Sequence, residues 1–279
     1  MNPWMNKLLR GNPIIMLLSR LGLYSTGERP AKFANRQQTE RLSNIDRAEK
    51  ALPDVDEKKG VDFLTRFLQA QNDHPEFMDD TRVLAVCLSL IFAGSDSTAV
   101  SASNIFNNLL NNPRVYHKLM KELDDAVASG QLYADNATAG TENEVFSFNA
   151  AQSLPYLQAV VDESFRIYPA VGLVLERIVP KSGTTIAGEP IQPGTIVGCN
   201  PWVVHRREEV FGDDVEEFRP ERWLESEGAD PKKVKEMRAA MFQFGAGSRT
   251  CIGKNISLME IYKLVPSFLR RFEVRQDML

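Results

Sequence analysis

The segment beginning at Asp79, DDTRVLAVCLSLIFAGSDSTAVSASNIFNNLL, constrains the fold more than any other stretch of this chain. It has no proline and a single glycine, and it is apolar almost all round. That pattern predicts one long, buried helix from Asp79 to Asn111. Asp79 and Asp80 suit its N-terminus through the helix dipole, and Asn111-Asn112-Pro113 suits its end. Pro113 then opens a second helix, PRVYHKLMKELDDAVAS, and LPYLQAVVDESFRIYP reads as a third, stopped by Pro169. Between them, ADNATAGTENEVFSFN is polar and reads as a mobile loop. Beyond Pro169 the period falls towards two: LVLERIVP, GTTIAG and GTIVGCNPWVV are short β-branched runs divided by turns such as KSG and EPIQPG. Pro193-Gly194 fits the centre of a type II turn. The chain closes with a helix from about Ile256 to Phe272, and the first ~75 residues read as amphipathic helices joined by polar links such as PDVDEKKG. The expected class is mainly α with a small β region, and no linker divides the chain into domains.

Composition removes several function classes. The net charge of −4 implies no nucleic-acid partner. Cys87, Cys199 and Cys251 are too few and too scattered for a disulfide framework. His74, His117 and His205 form no paired zinc motif, and no CxxC occurs. No stretch is expected to span a membrane, since the N-terminal run Ile14–Leu18 falls far short of the ~20 residues needed.

Three places carry chemistry. In the long helix, Ala93, Gly94, Ser97, Thr98 and Ser101 are small residues along one face. That face either packs on another helix or receives a flat ligand. Gly94 weakens a helix by ~1 kcal/mol. Asp96 lies among Phe92, Ala93, Ala99 and Val100 at helical spacing, so it is expected away from bulk water, where with Ser97 it could move protons; a plain surface aspartate is the other reading. On the third helix, Glu163 and Arg166 stand at i, i+3 among apolar neighbours. A buried arginine has more donors than one carboxylate can satisfy, so a third member is expected. Arg222 in FRPERW is the candidate, and the set reads as a structural lock. Finally, FQFGAGSRTCIGKNIS surrounds Cys251 with Gly245, Gly247 and Gly253, which permit tight turns and close approach of a ligand. A loop entering a helix there aims N–H groups at the sulfur and favours a thiolate. A nucleophilic cysteine is the other reading of this loop. It needs a histidine base, and His205 is the one in the second half.

FGAGSRTCIG matches the haem-binding signature F-x-x-G-x-R-x-C-x-G of the cytochrome P-450 family at Phe244, Gly247, Arg249, Cys251 and Gly253. AGSDST resembles that family's oxygen-binding helix stretch, Glu163-x-x-Arg166 its E-x-x-R, and FRPERW the segment completing the lock through Arg222. The resemblance is strongest to fungal members. It covers about 79–279 well and 1–78 loosely, as one partial domain. It implies a cytochrome P-450 fold truncated at its N-terminus, since the family's W-x-x-x-R is absent: Leu8 stands four residues after Trp4. It also implies haem b with Cys251 as axial thiolate, which favours O–O cleavage. Phe244 and Gly245 would lie near the sulfur, Arg249 and Arg177 would pair with the propionates, and Ala93 and Gly94 would lie against the haem. Asp96 and Ser97 would be the acid–alcohol pair that delivers protons, with Ser97 where threonine is typical; Ala170, Val171, Gly172 and Leu173 would contact substrate.

The implied function is a monooxygenase of secondary metabolism. It would insert one atom of O2 into a small apolar organic substrate, with electrons from an NADPH-dependent flavoprotein reductase. Lys232, Lys233, Lys235, Arg238 and Lys254 form a basic run that suits such a donor or is a plain solvated face. Full-length eukaryotic relatives are anchored in the endoplasmic-reticulum membrane. The alternative is a truncated, non-catalytic remnant that does not hold haem by itself. The truncation implied by the resemblance also predicts exposed apolar surface on the long helix.

Overall fold

The protein is described by a computed structural model covering residues 32–40, 62–130, 132–133 and 146–273. Trp4, Leu8, the run Ile14–Leu18, the PDVDEKKG link and most of ADNATAGTENEVFSFN lie outside these residues. The chain divides into two compact units, Met1–Ala93 and Gly94–Leu279.

In the first unit, residues 32–40 are helical and α1 spans Phe63–Asp73. Asp62 starts α1 by accepting the Thr65 N–H at 2.8 Å, which satisfies one of the free donors of the first turn. Asp79 does the same for α2 (Asp80–Asn111), accepting the Arg82 N–H at 2.8 Å.

The residues of α2 fall on both sides of the division, and its bounds match the sequence expectation to one residue. Its surroundings do not. Only 6% of its most apolar window is buried, so the reading of a buried core helix is corrected, whereas the expected exposed apolar surface is present. All-round apolarity leads to burial only where other elements surround the helix. Among the described residues of the second unit they do so along its C-terminal turns, at Ser101, Ala102, Ile105, Asn108 and Leu109. By length and composition alone α2 is also long enough and apolar enough to cross a membrane, which corrects the expectation that no stretch approaches that size.

The core of the second unit is helical. In α3 (Pro113–Ala128), Val115, Leu119, Leu123 and Ala126 form one buried stripe at helical spacing. A short helix α4 (Phe148–Gln152), capped by Ser147, follows where the sequence reads as loop. In α5 (Pro155–Ile167) nine of the thirteen residues are buried. Pro155 opens it, and the carboxylate of Glu122 on α3 accepts the Tyr156 and Leu157 N–H groups at 2.7 and 2.8 Å. The closing helix α9 (Lys254–Arg271) contributes Ile261, Tyr262, Val265 and Leu269 to the same cluster.

Between α5 and α9 lie two antiparallel strand pairs, the second enclosed between the strands of the first, and a series of short helices. Strand β1 (Leu175–Ile178) pairs with β4 (Ile196–Cys199), with Leu175 opposite Cys199 and Ile178 opposite Ile196. Strand β2 (Thr184–Ile186) pairs with β3 (Glu189–Ile191), which the sequence reads as part of a turn. The turn at Pro193-Gly194 has Gly194 at φ 80°, and the Thr195 N–H donates to the Gln192 carbonyl, as a type II turn requires. The run GTIVGCNPWVV does not continue as strand. Asn200 accepts the Trp202 N–H and Pro201 takes the first helical position, so α6 (Pro201–Val204) begins where the alternation ends. α7 (Glu208–Phe211), the 3₁₀ turns Pro220–Trp223 and Glu225–Glu227, and α8 (Pro231–Ala240) lead into the cysteine loop.

Candidate active site

The cysteine loop is built by its own backbone. Gly245 and Gly247 have φ of 69° and 66°, left-handed values that a side chain disfavours. They fold the chain back so that the Cys251 N–H donates to the Phe244 carbonyl at 2.9 Å. Thr250 closes the tip by donating from both N–H and hydroxyl to the Gly247 carbonyl. Gly253 is different. Its φ is ordinary, and an added Cβ would meet only the Cys251 Sγ, at 3.8 Å, so nothing in the described chain demands glycine there. Gly94 likewise faces open space. The Cys251 side chain is exposed, just before α9 starts. The N–H groups of Ile252 and Gly253 donate to no backbone carbonyl of the described residues.

Beneath the loop, Phe244 packs edge-on against Phe165 of α5, with ring centres 5.4 Å apart, and Lys254 Nζ lies 5.7 Å from the Phe244 ring centre. His205 anchors the start of the loop. Its Nε2 accepts the Phe242 N–H at 2.8 Å, so Nδ1 carries the proton and faces the Arg166 carbonyl at 3.3 Å. Burial holds this imidazole neutral, with a pKa lowered to about 4. Both ring nitrogens are committed, so His205 is not a base for Cys251, and the nucleophilic-cysteine reading loses its partner.

The His205 carbonyl accepts from Arg166 Nη1 at 3.1 Å, which joins the loop to the buried ion cluster. Glu163 Oε1 accepts from Arg166 Nη2, Arg222 Nε and the Arg219 N–H at 2.9, 2.9 and 3.0 Å. Its Oε2 accepts from Arg166 Nε and Trp223 Nε1, both at 2.9 Å. Arg166 gives its other donors to the carbonyls of His205, Val215 and Glu217. Arg222 reaches the Phe211 carbonyl at 2.6 Å and Asp214 Oδ1 at 2.9 Å. Burial works against the charge of Arg222, but Glu163 and Asp214 outweigh it and raise its pKa. The structure thus brings Glu163, Arg166 and Arg222 together with no solvent between them. The sequence reading missed Trp223, Asp214 and His205 in this cluster, since no local spacing links them to α5.

Two more elements reach the loop. Leu175 of β1 lies beside Gly245, and Thr98 Oγ1 of α2 is 3.1 Å from Ser257 Oγ in the first turns of α9. Ile252, next to Cys251, is 89% exposed, and Leu173, Ile178 and Ile196 are 68%, 72% and 62% exposed. Val171 is exposed as well, whereas Ala170 and Gly172 are half-buried. Arg249 and Arg177 are exposed and pair with no carboxylate of the described residues; Arg177 donates to the neighbouring Glu176 carbonyl. Ala93 and Gly94 are exposed, and Ser97 is half-buried. Asp96 is exposed, which corrects its expected shielding from water: Ala99 and Val100, which were to cover it, are exposed themselves.

An exposed thiol at a glycine-turned loop, with Arg249 two residues before it and a buried Glu–Arg–Arg cluster joined to the loop through His205, suits a ligand that offers an atom for sulfur to bind and an anionic group for the guanidinium. That defines the class. The Cytochrome P450 family model matches residues 13–278, and the chain belongs to this family of haem-thiolate proteins, with its mainly α fold and small β region. A cytochrome P450 monooxygenase of Aspergillus terreus is 39% identical over 98% of this chain and 51% of its own length. Cytochrome P450 monooxygenase cicH of Emericella nidulans is 43% identical over 76% of this chain and 40% of its own. Pisatin demethylase of Fusarium vanettenii is 42% identical over 66% of this chain and 32% of its own. The chain therefore spans about half, or less, of the length of these curated relatives.

Proposed function

We propose that this chain carries the haem-ligating part of a monooxygenase that inserts one atom of O2 into a small apolar organic substrate. The observation that carries the reading is the exposed Cys251 thiol at a loop turned by Gly245 and Gly247, with the exposed Arg249 two residues before it. Haem b, when bound, supplies the chemistry that activates O2. Cys251 would bind its iron as thiolate, favoured by the free N–H groups at the start of α9. Arg249 and Arg177 would hold its propionates by charge-assisted hydrogen bonds. Gly253 and Gly94, which nothing in the described chain requires to be glycine, would let the backbone lie against the ring. Asp96 would take protons from water and Ser97 would pass them inward. Val171 and Leu173 would meet the substrate and keep water out. Electrons would come from an NADPH-dependent flavoprotein that docks on the basic residues around α8, among them Lys232 and Lys235.

A second reading is that this chain by itself does not hold haem. It is favoured by the mostly unburied α2, whose apolar face lacks cover among the described residues.

A carbon monoxide difference spectrum of the reduced, haem-supplemented chain separates the two. The expected result is a thiolate-type, red-shifted Soret band that is lost in Cys251→Ala. No haem uptake, or a band indifferent to that substitution, refutes the first reading for this chain.

A further inference from the structure

We propose that Thr98 is a positioning residue for the Asp96–Ser97 turn, acting through its hydrogen bond to Ser257; the inference rests on the haem-thiolate reading above. Thr98 directly follows the acid–alcohol pair on α2. Ser257 stands in α9 six positions after Cys251, and its N–H donates to the Gly253 carbonyl at 3.0 Å. The 3.1 Å hydroxyl–hydroxyl contact therefore ties the turn that carries Asp96 and Ser97 to the helix that grows out of the thiol loop.

Packing constrains the two helices at their far ends and leaves the turn that carries Asp96 and Ser97 less held. Near the C-terminal ends of both helices Phe106 packs on Phe268 with ring centres 5.1 Å apart, whereas nearer the Asp96–Ser97 turn α2 presents Thr98, Ala99 and Ala102 towards Met259 and Leu264 of α9 across a groove of about 520 Å³. Around the groove, small side chains against flexible ones leave local displacement of this turn weakly opposed, and a displacement that parts the two hydroxyls breaks the hydrogen bond. A second hydroxyl stiffens the same turn from within: Ser101 Oγ donates to the Ser97 carbonyl at 2.8 Å. The tie matters more because Ser97 is unbranched. A threonine restricts its own χ1, whereas a serine hydroxyl samples more rotamers, so the position of the backbone has to supply the precision. Thr98 is engaged by α9 and does not substitute for Ser97 as the proton-passing hydroxyl.

The test compares Thr98→Val, Ser257→Ala, the double variant and Thr98→Ser in the full chain. In the haem-free protein, amide hydrogen exchange at 97–101 and 254–258 should rise about fivefold in each single loss-of-hydroxyl variant, the factor set by one net hydrogen bond. The double variant should rise no further, and Thr98→Ser should match the unsubstituted chain. In the haem-loaded protein driven by NADPH and a flavoprotein reductase, the split of O2 reduction between hydrogen peroxide and water should move towards peroxide in the same two variants, with Thr98→Ser restoring it. Unchanged exchange in Thr98→Val overturns the tie. Changed exchange with an unchanged split overturns the positioning role. A chain that binds no haem overturns the haem-thiolate reading and the positioning role with it, while the exchange measurement still reports on the hydrogen bond itself.

Discussion

Replacing Glu163 by glutamine tests whether the buried ion cluster holds the site. The side chain keeps its shape and loses its charge. Glu163 is fully buried and accepts five hydrogen bonds, from Arg166, Arg222, Trp223 and the Arg219 backbone. An amide NH2 in place of Oε2, the less demanding arrangement, turns two accepted bonds into donor–donor contacts. It also leaves two buried guanidiniums facing one neutral group. Breaking a buried ion pair from one side costs about 3–5 kcal/mol, since the remaining charge has no water to turn to. Against a domain stability of roughly 5–15 kcal/mol this is large but measurable. Urea unfolding followed by far-ultraviolet circular dichroism should show the midpoint falling with an unchanged slope. If the variant fails to fold, Trp223→Phe removes a single donor and should cost about 1–2 kcal/mol. A Glu163→Gln cost below about 1 kcal/mol refutes the reasoning, since the cluster would then be solvated or redundant.

The neutral His205 makes stability depend on pH. Its pKa falls from 6.5 to about 4 on folding, so the unfolded chain binds more protons between those values and stability drops as pH falls through them. The loss approaches about 3 kcal/mol at pH 4. Asp162, raised to about 6 by burial despite the opposing charge of Arg238, works in the opposite direction between pH 6 and 3.8. The quantity to measure is therefore the stability difference between the unsubstituted chain and His205→Gln, which should shrink on acidification; a flat difference from pH 7 to 4 refutes the assignment. Glycine substitutions should diverge in sign. Gly94→Ala in mid-helix, where an added methyl meets nothing, should stabilise the haem-free chain by ~1 kcal/mol. Gly247→Ala at φ 66° should cost about 1–2 kcal/mol, and thermal unfolding of both variants checks the contrast.

The helices were legible where local rules act. The proline-free run from Asp79, the opening Pro113 and the stop at Pro169 gave the helix bounds within one or two residues, since capping and proline breaks are properties of neighbouring residues. Two β features were misread for the same local reason. The Asn200-Pro201 helix start was hidden inside a β-branched run, and strand β3 inside a turn-like EPIQPG. The thiol loop was legible because its glycines serve its own tight geometry. The environment of α2 was not: apolarity states what a helix would gain by burial, and only the surrounding chain decides whether Asp96 is covered. What the sequence by itself determined is the helical class, the cysteine loop and the pairing of Glu163 with Arg166 one turn apart. Only the tertiary structure decided that His205, 39 positions beyond Arg166, bridges that cluster to the loop, that Trp223 and Asp214 complete it, and that Thr98 meets Ser257 across 159 positions. The physical reason is directionality: a buried donor or acceptor takes whichever partner the folded backbone brings within about 3 Å, and separation along the chain does not enter.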